Sequence, residues 1–234
     1  MVELERNGDV HVLRMVAGEN RFNAGFMAAL NQALDDVQHS EGPAALVTTG
    51  EGKFYSNGLD LEWMSSAGKE EVQQHLDNVH NTFIRMLTFP MITVAALNGH
   101  VFAAGAMLAL AHDYRVMRAD RGFFCLPEVD IKIPFTKQMD VLIRARLPRM
   151  VAHEAMCTAR RYGGGEAAAR QIVDHAVSET ELLPKAIEIA QGLAGKDRDT
   201  MAVIKRQMYA DVIEVFAREA VSGGASSEQR WSGR

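Results

Sequence analysis

The chain has 234 residues, 47% hydrophobic and 24% charged, enough to bury a full core as one large domain or two small ones. A formal charge of −5 argues against nucleic acid as the main partner, yet a few local cations can still hold an anionic group. No apolar run reaches membrane-spanning length, and Met1-Val2-Glu3-Leu4-Glu5 lacks the basic-then-apolar profile of a signal peptide. Two cysteines, Cys125 and Cys157, suit a reducing compartment and offer no metal-site spacing.

Taken in order, residues 2–5 and 10–16 flank Asn7-Gly8, which predicts a β-hairpin. Asn23 is placed to cap a helix whose apolar positions are Phe26, Leu30, Ala33, Leu34 and Val37. Pro43 restarts the chain into a buried strand, 44–49, and a turn follows at Tyr55-Ser56-Asn57-Gly58-Leu59-Asp60. The cleanest helix is 69–87, with Val72, Leu76, Val79, Phe83, Met86 and Leu87 on one side and Pro90 beyond its end. Residues 91–97 form another buried strand, and Asn98-Gly99 leads into a helix opening at Ala104 or Gly105. A helix start presents unpaired N–H groups, and Ala103, Ala104, Gly105 and Ala106 have little side chain to keep a ligand from them.

Strands are then expected at 114–117 and 122–125, an alternation with helices that favours a layered α/β fold. Helices at 137–146, 150–158 and 165–171, a strand at 172–177, and two late helices complete the pattern. The late helices are read as 184–193, with Pro184 in the first turn, and 200–221. Ser222 to Arg234 is rich in Gly, Ser and charge and is expected to be a disordered tail. No internal repeat is visible.

Two turns, each a strand end leading to a helix start, stand about forty residues apart, and Leu126-Pro127-Glu128-Val129 follows them. This trio resembles the crotonase, or enoyl-CoA hydratase/isomerase, superfamily, whose F-S-x-G-x-D-like and N-G-x-x-x-G-G-G-like turns come in this order. The resemblance implies an α/β spiral of strand-strand-helix units (1–190), a C-terminal helical trimerisation region (191–221) and the tail (222–234). It implies an acyl-CoA thioester substrate, with coenzyme A part of the substrate and no further cofactor, and a homotrimer or dimer of trimers. Alignment to the family gives the backbone N–H groups of Asn57 and Ala104 as oxyanion donors.

Family hydratases carry two glutamates. The resemblance places the first at Met107, which cannot move a proton, and the second at Glu128. Members that isomerise 3-enoyl-CoA to 2-enoyl-CoA keep only the second, so Glu128 is the expected acid and base and Met107 an apolar wall. The apolar run before Glu128 also favours a raised carboxyl pKa. Ser56, Gly58, Leu59, Asp60 and Pro127 complete the substrate-binding set, with Asp60 bracing its turn. Arg21 resembles a position that contacts CoA, and Lys205 one that reaches the CoA of a neighbouring subunit. His100 and His112 read as structural residues, packed or exposed, and Asp130 and Asp140 are candidates for the extra carboxylate of dienoyl-CoA isomerases, though neither falls clearly on its position. Lys132 and the early Pro134 depart from the family pattern at the floor of the acyl pocket.

The expected activity is therefore Δ3-Δ2-enoyl-CoA isomerisation. The alternatives are a dienoyl-CoA isomerase, hydratase, hydrolase or decarboxylase of the same family, or a non-enzymatic CoA- or RNA-binding member. Trp231-Ser232-Gly233-Arg234 is not a peroxisomal signal, which gives a cytoplasmic expectation.

Overall fold

The hairpin turn is made by Gly8 and Asp9, one residue later than the Asn7-Gly8 expectation, and it joins β1 (Val2–Asn7) to β2 (Val10–Met15). The structure is a computed structural model and describes residues 1–222. Helix α1 (Ala24–Gln38) begins at Asn23, whose side chain accepts from the Phe26 N–H, as its sequence implies. Three strand-strand-helix units follow. The first is β3 (Ala45–Gly50), β4 (Phe54–Ser56), α2 (Leu61–Ser66) and α3 (Lys69–Leu87). The second is β5 (Ile92–Leu97), β6 (His100–Phe102) and α4 (Ala104–Ala111). The third is β7 (Tyr114–Arg118), β8 (Phe124–Cys125), α5 (Glu128–Ile131), α6 (Lys137–Arg146) and α7 (Arg149–Thr158). The chain closes with α8 (Gly164–Ala169), β9 (His175–Val177), α9 (Glu179–Leu193), α10 (Arg198–Met208) and α11 (Ala210–Ser222).

In every unit the first strand enters one sheet and the second strand another. The larger sheet has the order β1-β2-β3-β5-β7-β9, and the smaller one β4-β6-β8. All pairings beyond the first hairpin are parallel. Parallel strands with both faces covered become apolar throughout, and every residue of β3 is buried. Alternate residues serve two cores. Val10, Val12, Val47, Val94 and Val116 pack against Leu182, Ala186 and Ala190 of α9, while Leu13, Leu46, Leu97 and Met117 face the larger core.

Helix α9 starts at a Ser178/Glu181 capping box, so Pro184 lies inside the helix and not in its first turn. The boundary expected at 190 falls within α9, which covers the large sheet and belongs to the core. The single helix expected over 200–221 is two, with Tyr209 between them, and α11 packs on α3 and α6. Only 175–177 of the expected strand 172–177 is paired, because Ile172 and Val173 are buried in the loop after α8. Ser222 closes α11, and the rest of the expected tail lies outside the described residues.

All eight residues of α4 are buried, and the carbonyls at its C-terminal end are tied off by two arginines from other elements. Arg146 donates to the carbonyls of Leu110 (2.8 Å), His112 (2.6 Å) and Asp113 (3.1 Å) and to the Tyr209 hydroxyl. Arg115 adds a bond to the His112 carbonyl at 3.0 Å. His112 is itself a structural residue: Nδ1 donates to the Leu108 carbonyl at 2.8 Å, so Nε2 accepts from Thr48, whose oxygen in turn accepts from Tyr55. Burial lowers the His112 pKa to about 3, which keeps the ring neutral.

Lys205 belongs to this buried network and not to a CoA site. Its Nζ uses all three protons, on the carbonyls of Phe89 (3.0 Å) and Met91 (2.9 Å) and on Asp113 Oδ2 (2.6 Å). The lysine is buried, and none of its donors is left for a ligand. Lys205→Ala is therefore expected to destabilise the fold by about 3 kcal/mol, because the half-buried Asp113 carboxylate and the Phe89 and Met91 carbonyls would lose their shared donor. Urea unfolding checks this, and a loss of acyl-CoA affinity with unchanged stability would contradict it.

Candidate active site

The first turn can be read by following each backbone N–H. Asn57 donates to the Glu19 carbonyl at 2.9 Å, Gly58 to Ser56 Oγ at 3.1 Å, and Asp60 to the Phe22 carbonyl at 3.1 Å. Only the Leu59 N–H has no partner among the described residues. Leu59 pairs with Phe22 in a parallel bridge whose bonds are made by the residues on either side of it, so its own N–H faces the other way. This departs from the expectation from the alignment: the Asn57 N–H is already bonded, and the free N–H of this turn is that of Leu59. The Asn57 side chain is also engaged, donating to Glu19 Oε2 at 2.8 Å.

The partners of this turn come from the loop after β2. Asn20 is buried there with a positive φ of 50°. Its Nδ2 donates to the carbonyls of Met15 (3.1 Å) and Tyr55 (3.0 Å), and its own carbonyl accepts from Ser56 Oγ at 2.7 Å. Asp60 braces the turn as expected, accepting from the Trp63 N–H at 3.1 Å and from Asn23 Nδ2 at 3.2 Å. Ser56, Gly58 and Asp60 thus build the turn but do not line the cavity beside it.

The second turn brings the start of α4 against the first. At Gly58 (φ +81°) a Cβ would stand 2.9 Å from the Ala104 nitrogen, so only glycine permits the contact. Ala103 turns the chain into the helix with φ 50° and ψ −126°, a conformation that costs an L-residue about 1–3 kcal/mol. Its N–H goes to the Cys125 carbonyl at 3.1 Å, whereas the Ala104 N–H has no partner among the described residues. Leu59 and Ala104 therefore present free donors from two touching turns to one cavity.

That cavity, about 370 Å³, is lined by Leu59, Ala104, Pro127 and Glu128, with Arg21 and Asn57. Glu128 opens α5 directly after Pro127, is 5% exposed, and its Oε2 has no hydrogen-bond partner among the described residues. Burial pushes its carboxyl up to about 7, against the opposing effect of its own backbone N–H. Met107 is apolar as the isomerase pattern requires, but it packs in the main core and is not a wall of the cavity. Arg21 is half-exposed and holds Glu19 at 2.7 Å. Asp140 pairs with Arg144 at 3.4 Å and does not line this cavity, though it lines an adjoining one that shares Glu128. Sequence reading did not find Leu76, Phe135, Gln138 and Met139 as cavity residues. Their only mark in sequence is the inward face of an amphipathic helix, or a place beside one.

Two outcomes follow from this geometry. Ala103→Gly removes the strained φ and is expected to raise stability by about 1 kcal/mol, read as a higher midpoint in thermal unfolding. Glu128 must be ionised to accept a proton, and its raised pKa means that this form is lost as pH falls through about 7. The rate of any proton abstraction by the free protein should then fall about tenfold for each pH unit below that value and level off above it. A flat profile between pH 5 and 8 in kcat/KM would contradict the assignment.

A fold of strand-strand-helix units, with two unpaired backbone donors and a buried carboxyl around one cavity, defines a spiral α/β protein with a donor-lined binding cavity. The family model described as enoyl-CoA hydratase/isomerase matches residues 5–221, and the chain belongs to that family. Enoyl-CoA delta isomerase 2, peroxisomal, of Arabidopsis thaliana is 33% identical over 231 residues, spanning 94% of this chain and 96% of that protein. Enoyl-CoA delta isomerase 3 of the same plant is 34% identical over 222 residues, 91% and 93% of the two chains. Among solved structures, a probable enoyl-CoA hydratase from Mycobacterium tuberculosis superposes with a TM-score of 0.89 at 26% identity, covering 96% of this chain and 94% of the other. Human mitochondrial delta3-delta2-enoyl-CoA isomerase shares the fold with a TM-score of 0.86 at 22% identity, over 96% and 88%.

Proposed function

We propose that the protein isomerises 3-enoyl-CoA to 2-enoyl-CoA. The observation that carries this is a single buried carboxyl, Glu128, on the same cavity as two unpaired backbone donors, with methionine where hydratases hold a second glutamate. The names of the Arabidopsis relatives point the same way.

The thioester oxygen accepts from the Leu59 and Ala104 N–H groups. Ionised Glu128 takes a proton from C2, and the negative charge passes to that oxygen as an enolate, where each donor is worth roughly 3–4 kcal/mol. The C3–C4 double bond moves to C2–C3 as the enolate collapses, and neutral Glu128 returns the proton to C4. No atom is gained or lost, and no group beyond the substrate's own coenzyme A takes part. A carboxyl near pKa 7 suits both halves of the cycle, since it must accept and then give up the same proton. Family hydratases hold and activate water with a second glutamate at the position of Met107, whose buried thioether cannot do so.

3-Hexenoyl-CoA should be converted and crotonyl-CoA left almost unhydrated. Glu128→Gln is expected to lower isomerisation by roughly 10²–10⁴-fold with acyl-CoA binding little changed. Rapid hydration of crotonyl-CoA by the parent protein would overturn the reading.

We further infer a homotrimer or dimer of trimers, supported by the exposed apolar side chains Val203, Ile204 and Met208 on α10. Light scattering should give three or six times the chain mass, and Ile204→Glu should lower it. The two free cysteines suit a reducing compartment. No helix among the described residues is long and apolar enough to cross a membrane.

A further inference from the structure

The Leu59 N–H is aimed through its own peptide group. A trans peptide unit is planar, so its N–H points away from the carbonyl of the residue before. That carbonyl, on Gly58, accepts from the Phe22 N–H at 2.7 Å, which turns the Leu59 N–H to the opposite side. The Phe22 carbonyl in turn accepts from the Asp60 N–H at 3.1 Å. Phe22 therefore grips the turn on both sides of Leu59, yet it lies in the segment joining β2 to α1, which has no strand of its own. Its steadiness has to come from neighbouring elements.

His75, on α3, makes such a contact. Its Nε2 lies 3.0 Å from the Phe22 carbonyl oxygen, and since a carbonyl only accepts, the ring nitrogen donates. The ring is buried, which holds its pKa below the ordinary value and leaves it neutral with its one proton on Nε2. Trp63 closes on it with ring centroids 4.6 Å apart, and the Trp63 N–H donates to Asp60 Oδ1 at 3.1 Å. Phe22, Asp60, Trp63 and His75 thus form a closed circuit beside Leu59. The Phe22 carbonyl already has a donor in Asp60, so the histidine is not needed to satisfy it, and what the second bond adds is direction. A leucine there would be buried without desolvating ring nitrogens. His75 does not line the cavity, so it acts through the turn and not on a ligand.

We propose that His75 is a positioning residue, holding Phe22 and through it the angle of the Leu59 N–H toward the thioester oxygen. This rests on the isomerase reading and adds a residue to it. The carbonyl of a bound thioester reports that angle, because a well-aimed donor pulls its infrared band to lower frequency. Octanoyl-CoA labelled with carbon-13 at the carbonyl should show its band moved down when bound to the parent protein. In His75→Leu the band should return part of the way to its place in the free ester. In His75→Gln, whose amide nitrogen falls near the place of Nε2, it should stay down. Turnover of 3-octenoyl-CoA should follow, with kcat roughly tenfold lower in His75→Leu, KM little changed, and kcat recovered in His75→Gln. His75→Met takes the place of His75→Leu if circular dichroism shows the latter misfolded. A band and a kcat that stay parental in the folded variant without a donor overturn the proposal alone, as does a folded His75→Gln as impaired as His75→Leu. An unmoved band in the parent protein overturns the oxyanion reading and this proposal with it.

Discussion

A helix with no exposed residue has to find partners for the polar groups at both of its ends, and α4 meets that demand in opposite ways. At the C-terminal end Arg146, Arg115 and His112 take up the free carbonyls, and Lys205 fixes the Asp113 that follows. At the N-terminal end no described residue accepts from the Ala104 N–H. The same burial that makes the first end rigid leaves the second an unpaired donor at a largely apolar cavity, where a hydrogen bond to a ligand is electrostatically stronger than in water. Stability and chemistry here are two ends of one element.

The two sheets hold that end in place. Because each unit sends its first strand into the large sheet and its second into the small one, the turns after β4 and β6 are neighbours. The parallel pairing of β4 with β6, and of β6 with β8, brings both donor turns and the segment leading to Glu128 to one side of a three-stranded sheet. The glycine contact at Gly58 then sets how closely the two turns approach. Glu128 is reached from β8 through only Leu126 and Pro127, so its position is fixed by the same small sheet.

Much of this was legible in the residues. The 69–87 helix, the Asn23 cap and the opening of α4 at Ala104 follow from spacing and capping chemistry, which act locally. Glu128 was legible through its motif, and its apolar approach announced the raised pKa. Leu59 was not, because which N–H of the first turn stays free depends on Glu19 and Phe22, and a local reading cannot see such partners. Lys205 failed for the same reason. A lysine on a late amphipathic helix reads as solvated, and only the packing of α10 against Phe89, Met91 and Asp113 makes it structural. Pro184 misled because proline favours a first turn, whereas the Ser178/Glu181 box had already begun the helix.

The accounting in the first turn has a consequence for how such a site varies over time. Since both donors are main-chain groups, the side chains at 57, 59 and 104 are open to substitution within the limits of space. What cannot drift is the count: a single residue inserted between Ser56 and Asp60 would shift which amide meets Glu19 and which is spared. Descent in this site is inheritance of phase, and chains that share few letters can keep it intact while a near-identical one with a slipped frame would lose it.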